Sequence, residues 1–193
     1  MRSDLTAYDA VIMDWDGTVV DSQPVNFRCL AEVLKAYGVR LRVGWYRERL
    51  GTSVDGLMAE LGVSVPLSDV LDRCGELIIH ELPSLKAFPM VVEWLERARE
   101  GGLACAVASG GGGAVVRAGV EAVGLTHLFD VVVTREDAVL GKPAPDLFLE
   151  AARRLRVPPQ RCLVVEDAEE GLAAARAAGM DAVDVRPYVT SSW

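Results

Sequence analysis

The sequence predicts an α/β protein, a doubly wound parallel sheet of Rossmann-like order with a small all-helical insertion near its start. Three patterns carry this expectation. Short apolar runs at 8–13, 103–108, 131–133 and 162–165 have the length of strands and little polar alternation, as strands covered on both faces do. From residue 89 onward these runs alternate with helical periodicity at 91–99, 114–122, 146–155 and 171–178, the signature of parallel strands joined by crossover helices. Residues 22–88 differ, with amphipathic helical patterns at 24–37, 54–61 and 67–82, separated by Gly, Pro and Ser, and no convincing strand. The expected division is a core of 1–21 and 89–193, with a helical insertion at 22–88 that rejoins at Phe88-Pro89.

Composition supports a globular chain. Of 193 residues, 51% are apolar and 25% charged, enough for a core without disulfides or a structural metal. Cys29, Cys74, Cys105 and Cys162 are widely spaced and form no C-x-x-C pair, and the two histidines are far apart, so neither a zinc site nor a redox motif is indicated. The net charge of -8 and the lack of any Lys/Arg run argue against nucleic-acid and anionic-membrane partners. An anionic substrate then requires a bound cation or a local basic group. The opening Met1-Arg2-Ser3-Asp4 has no leader character, and no apolar run approaches the ~20 residues of a membrane span. A cytoplasmic protein, monomeric or weakly dimeric, is expected.

Ligands of open α/β sheets gather at the carboxyl ends of the strands. The first strand ends in Asp14-Trp15-Asp16-Gly17-Thr18, the second in Ser109-Gly110 and the last in Glu166-Asp167, with Lys142 in Gly141-Lys142-Pro143 between them. Taken singly, each has an ordinary structural role as a turn residue, helix cap or solvated loop charge. Four such segments in this order argue for a shared site. Strand-like geometry would place the Asp14 and Asp16 carboxylates on one side, where they repel unless a cation or proton intervenes. With Glu166 and Asp167 they form a hard oxygen set suited to Mg²⁺. Gly17 and Thr18 are expected to offer backbone N–H groups to a bound oxyanion. Trp15 should point away, into the core. Gly110–Gly113 fits no Walker or dinucleotide fingerprint and reads as close backbone approach at a helix start. Ser109 lacks the G-x-S-x-G frame of a triad hydrolase.

These segments resemble the haloacid dehalogenase superfamily, in its phosphatase and β-phosphoglucomutase-like branch. The four motifs read Val11-Ile12-Met13-Asp14-Trp15-Asp16-Gly17-Thr18-Val19-Val20-Asp21-Ser22, Val107-Ala108-Ser109, Gly141-Lys142-Pro143-Ala144-Pro145-Asp146 and Val164-Val165-Glu166-Asp167-Ala168-Glu169-Glu170-Gly171-Leu172-Ala173-Ala174-Ala175, and together span almost the whole chain. The resemblance implies that Asp14 is a nucleophile forming an aspartyl-phosphate and that Asp16 is the general acid and then base. It implies Mg²⁺ held by the Asp14 carboxylate, the Asp16 carbonyl and Asp167, with Glu166 acting through water. It assigns Ser109 and Lys142 to balance phosphoryl charge, with Gly17, Thr18 and Gly110 also about the phosphate.

By the same resemblance, residues 22–88 are a cap closing over the substrate, and Leu50-Gly51-Thr52-Ser53 is its substrate loop. The sequence departs from the mutase pattern. Val54 stands where mutases carry an Arg, Asn26 where they carry a His, and Gly113 replaces a polar contact. The cap lysines Lys35 and Lys86 are poorly placed for the imine chemistry of phosphonatases. The expected activity is hydrolysis of a small phosphomonoester, such as a sugar phosphate, phosphoglycolate or a nucleotide. The alternatives are a sugar phosphomutase and a non-catalytic binding protein of the same fold.

Overall fold

The computed structural model describes residues 5–191. Five parallel strands form one sheet: β1 (Ala10–Met13), β2 (Ala104–Ala108), β3 (Val131–Val133), β4 (Cys162–Glu166) and β5 (Asp181–Asp184), in the order β3-β2-β1-β4-β5. The strand order reverses at β1, which pairs with β2 on one side and β4 on the other. That reversal opens a crevice at the carboxyl ends of these central strands.

Alternation along the strands sorts the core into two layers. Val11 and Met13 of β1, Cys105 and Val107 of β2, and Leu163 and Val165 of β4 face helices α5 (Pro89–Glu100) and α6 (Gly113–Ala122). Trp15 continues this phase and is buried in the same layer, as expected from the sequence. Ala10, Ile12, Ala106, Ala108, Cys162 and Val164 face the opposite layer, with Phe148 of α7 (Asp146–Leu155) and Ala174 of α8 (Glu169–Ala177). Asp14 and Glu166 follow Ile12 and Val164 by two residues, so the strand phase carries their side chains over the α7–α8 side. All four cysteines are buried and unpaired.

Residues 22–88 hold α1 (Gln23–Lys35), α2 (Val43–Arg47), α3 (Val54–Leu61) and α4 (Leu67–Glu81), with a short 3₁₀ turn at Leu82–Ser84. These helices pack on a cluster of their own, built from Leu30, Leu34, Tyr46, Met58, Val70 and Cys74. The two connections to the sheet run side by side. The Asp21 N–H donates to the Lys86 carbonyl at 2.9 Å, the Phe88 N–H donates to the Val19 carbonyl at 2.9 Å, and Val20 and Ala87 form an antiparallel bridge. Among the described residues no helix is long and apolar enough to cross a membrane.

Two elements depart from the sequence expectation. β5 is an edge strand, with acidic residues at both ends (Asp181, Asp184) and only Val183 between them to suggest a strand. α2 has five residues, including Gly44 and two aromatics, too few to display a helical period. The first strand is shorter than its apolar run because the chain bends at Asp9, whose carboxylate pairs with Arg161 at 2.7 and 2.9 Å.

Ile12 is fully buried, whereas Val139 is 92% exposed. Ile12→Ala should therefore cost about 2–5 kcal/mol, and Val139→Ala less than about 0.5 kcal/mol. Urea unfolding of the two variants checks this.

Candidate active site

Register places the first two carboxylates. Met13 pairs with Val165, and the Asp14 N–H donates to the Val165 carbonyl at 2.9 Å, so Asp14 leaves β1 beside Glu166 at the end of β4. Both side chains are buried. Lys142, from the loop before α7, inserts between them, its Nζ at 2.5 Å from Asp14 Oδ1 and 2.7 Å from Glu166 Oε2. The ammonium lies 5.0 Å from the centre of the Phe148 ring, a contact that favours a desolvated cation. Burial opposes its charge, but the Asp14 and Glu166 carboxylates outweigh that and hold its pKa above the ordinary lysine value.

Glu166 has no idle oxygen. Oε1 accepts from the N–H groups of Asp167 and Ala168, each at 3.1 Å, and Oε2 accepts from Lys142. Its carboxylate thus ties the turn between β4 and α8 to Lys142. Gly171 makes the space, because a Cβ there would collide with the Glu166 side chain.

Asp167 lies across from the first strand's turn. Its Oδ1 accepts from the Thr18 hydroxyl at 3.0 Å. Gly17, at φ +90°, brings its Cα so close that a Cβ would strike the Asp167 carboxylate. The Gly17 N–H donates to the Val20 carbonyl at 2.9 Å and closes the turn instead of facing a ligand. Thr18 is buried and acts on Asp167 through its hydroxyl.

Asp16 is held apart from the other acids. β1 ends at Met13, and Asp16 is not one of the three acids, Asp14, Glu166 and Asp167, whose oxygens cluster. The Asp16 Oδ1 accepts from the Ser22 hydroxyl at 2.5 Å and from Asn26 Nδ2 at 3.0 Å, and its Oδ2 lies 3.4 Å from the Ser109 hydroxyl. The Asp16 carbonyl accepts from Gln23 Nε2 at 3.3 Å, and Gln23 Oε1 accepts from the buried Tyr46 hydroxyl at 3.2 Å. Ser109 Oγ accepts from the Gly111 N–H at 3.0 Å. Gly110 lines the same cavity, of about 650 Å³, that lies between the strand ends and α1, α3 and α4. Sequence reasoning gave no role to Ser22, Gln23, Thr18 Oγ1 or Gly171. Ser22, Thr18 and Gly171 lie inside the motifs, and Asn26 stands where the mutases carry a His.

Asp14, Glu166 and Asp167 each offer an oxygen, all within 4.8 Å of one another. Burial, then the Glu166 charge, raises the Asp14 carboxyl well above the ordinary range, with Lys142 opposing. Burial and Glu166 likewise push Asp167 up to about 7, with the Thr18 hydrogen bond opposing. One lysine leaves this cluster short of positive charge, and its donors are all hard oxygens, so the residues fit a divalent cation such as Mg²⁺. Glu166 already accepts three hydrogen bonds, so Asp14 and Asp167 have more oxygen capacity left to hold it.

Two predictions follow from this geometry. Gly171→Ala should displace Glu166 and cost about 1–3 kcal/mol, read by urea unfolding. In chelator, the unfolded chain loses the Asp167 proton near its ordinary value of 3.8, while the folded chain keeps it to about 7. The contribution to stability is therefore full below the lower value and lost as pH rises to the higher. The melting midpoint should fall over that window, and Asp167→Asn should flatten the fall. Equal slopes in both proteins would contradict the placement of Asp167.

Comparison with known proteins agrees with this arrangement. The model of one family, described as haloacid dehalogenase-like hydrolase, matches residues 8–179. Fructose-1-phosphate phosphatase YqaB of Escherichia coli (strain K12) is 34% identical over 187 residues, covering 93% of this chain and 97% of that protein. The phosphorylated carbohydrates phosphatase of Thermotoga maritima is 30% identical over 184 residues, covering 91% of this chain and 83% of that protein. Among solved structures, CbbY from Rhodobacter sphaeroides in complex with phosphate superposes with a TM-score of 0.82 at 26% identity, over 91% of this chain and 84% of that one. The sheet, the four strand-end motifs and these likenesses agree: the chain belongs to the haloacid dehalogenase-like hydrolases, in their phosphatase branch.

Proposed function

We propose that this protein hydrolyses a small sugar monophosphate through a covalent phosphoryl group on Asp14, with Mg²⁺ as cofactor. The observation that carries the reading is the buried Lys142 between Asp14 and Glu166, 2.5 and 2.7 Å from their carboxylates, at the floor of a cavity large enough for a sugar phosphate. The substrate class is supported by relatives named for fructose 1-phosphate and for phosphorylated carbohydrates.

In this reading an Asp14 oxygen attacks phosphorus, and the bond from phosphorus to the leaving oxygen breaks. Asp16 gives its proton to that oxygen, then takes one from the water that attacks the aspartyl-phosphate, releasing phosphate and restoring Asp14. The separation of the two acids supports these roles. Lys142 beside Asp14, and the cation that the acid cluster would hold, oppose the burial and the Glu166 charge that raise its carboxyl, while Asp16 is oriented by Ser22 and Asn26. Lys142 and the Ser109 hydroxyl face the charge that develops on the phosphoryl oxygens. The carboxylates of Asp14 and Asp167 and the carbonyl of Asp16 would hold Mg²⁺, which would supply further positive charge there. Glu166 positions Lys142 and the β4–α8 turn.

Residues 22–88 act in this reading as a cap over the strand ends. Their separate apolar cluster and the paired linkers at 19–21 and 86–88 support a unit that moves about one hinge. The cap also orients Asp16 through Asn26 and Gln23 of α1, so closure and proton transfer are coupled.

Asp14→Asn should stay folded and lose at least about a thousandfold in turnover, measured as phosphate released from a panel of phosphoesters. Asp16→Asn should lower kcat/KM, which reports formation of the aspartyl-phosphate, about 10²–10⁴-fold with alkyl phosphates and much less with para-nitrophenyl phosphate, whose leaving group needs no proton. Equal losses on both substrates would remove the general-acid role. Sugar isomerisation without phosphate release would indicate a mutase.

A further inference from the structure

Part of the charge that lines the cavity is not used by the proposed phosphoryl transfer. Seven acidic residues line it against three basic ones, Lys142, Arg49 and Arg135. Each base is already engaged by an acid. Lys142 bridges Asp14 and Glu166, Arg49 bonds Glu60 at 2.6 Å while stacked 4.1 Å from the Trp45 ring centre, and Arg135 lies 3.6 Å from Glu136.

Beyond the catalytic acids, Asp55 of the helical segment and Glu170 of the sheet unit both line the cavity. They sit in the first turns of α3 and α8. The loop before α3 meets the turn before α8 so closely that a Cβ on Gly51 would strike Ala168. The two acids sense each other, since burial and then the Asp55 charge raise the Glu170 carboxyl. The positive ends of α3 and α8, which could otherwise hold an anion, already face these first-turn carboxylates.

A second phosphate or a carboxylate on the leaving group would meet like charge here and find no unengaged cation, a repulsive basis for discrimination. Hydroxyl or ammonium groups would instead donate to the two acids. We infer that Asp55 and Glu170 select monophosphates whose leaving group ends in hydroxyl or ammonium donors, and reject those carrying a second anionic group. This rests on the proposed hydrolysis, and it assigns two residues, one on each side of the cavity, to specificity.

The test compares fructose 1-phosphate with fructose 1,6-bisphosphate at constant Mg²⁺ and ionic strength. Wild-type kcat/KM should favour the monophosphate by at least about tenfold, and the Asp55→Asn/Glu170→Gln double variant should bring the ratio to within about threefold. A wild-type ratio near one, or one that the double variant leaves unchanged, overturns the inference. Calorimetric binding of both sugars to Asp14→Asn reads the same preference without turnover. If wild type hydrolyses neither these sugars nor para-nitrophenyl phosphate while the binding preference holds, the hydrolytic reading fails and the inference stands. Binding of neither sugar overturns the inference itself.

Discussion

One buried ammonium organises this molecule's chemistry. Lys142 is held between Asp14 and Glu166 with its side chain only 12% exposed. A charge so far from water is tolerable only with close opposite partners. Three segments distant in sequence must therefore meet with little freedom. Much of the surroundings serves that meeting: Phe148 lies beneath the ammonium, two backbone N–H groups fix the other Glu166 oxygen, and Gly171 leaves room for the glutamate.

The acidic groups divide the work by position. Asp14 and Asp167 lie where burial and mutual repulsion raise their proton affinity, a penalty that a divalent cation relieves. Asp16 stands outside this cluster, with its oxygens shared among Ser22, Asn26 and Ser109. A nucleophile must be ionised and an acid must hold a proton, and the fold gives the two aspartates different neighbours although one residue separates them. In the proposed reaction, the hydrogen bonds from Asn26 and Gln23 to Asp16 would bring the helical segment into the chemistry.

The sheet's central strands were legible in the sequence because burial on both faces leaves an uninterrupted apolar run. β5 was not, since an edge strand is covered on fewer sides and Asp181 and Asp184 break its pattern. The acids, Ser109 and Lys142 were legible because polar residues at the ends of buried strands have few structural reasons to cluster. What they bond to was not. The Gly17 N–H donates to the Val20 carbonyl and the Thr18 hydroxyl to Asp167, 149 residues away, and the local sequence marks neither bond. Ser22 and Gln23 look like ordinary helix-start residues, and nothing local marks Gly171 as space for Glu166.

The central claim is that Asp14 carries the phosphoryl group in mid-reaction. Borohydride added during turnover reduces an acyl phosphate to the alcohol, so peptide mass spectrometry reads the modified position directly. The account predicts homoserine at position 14 and nowhere else, with unmodified Asp16 and Asp167. Continued phosphate release with Asp14 unmodified, or with the phosphoryl group found on another side chain, would contradict it.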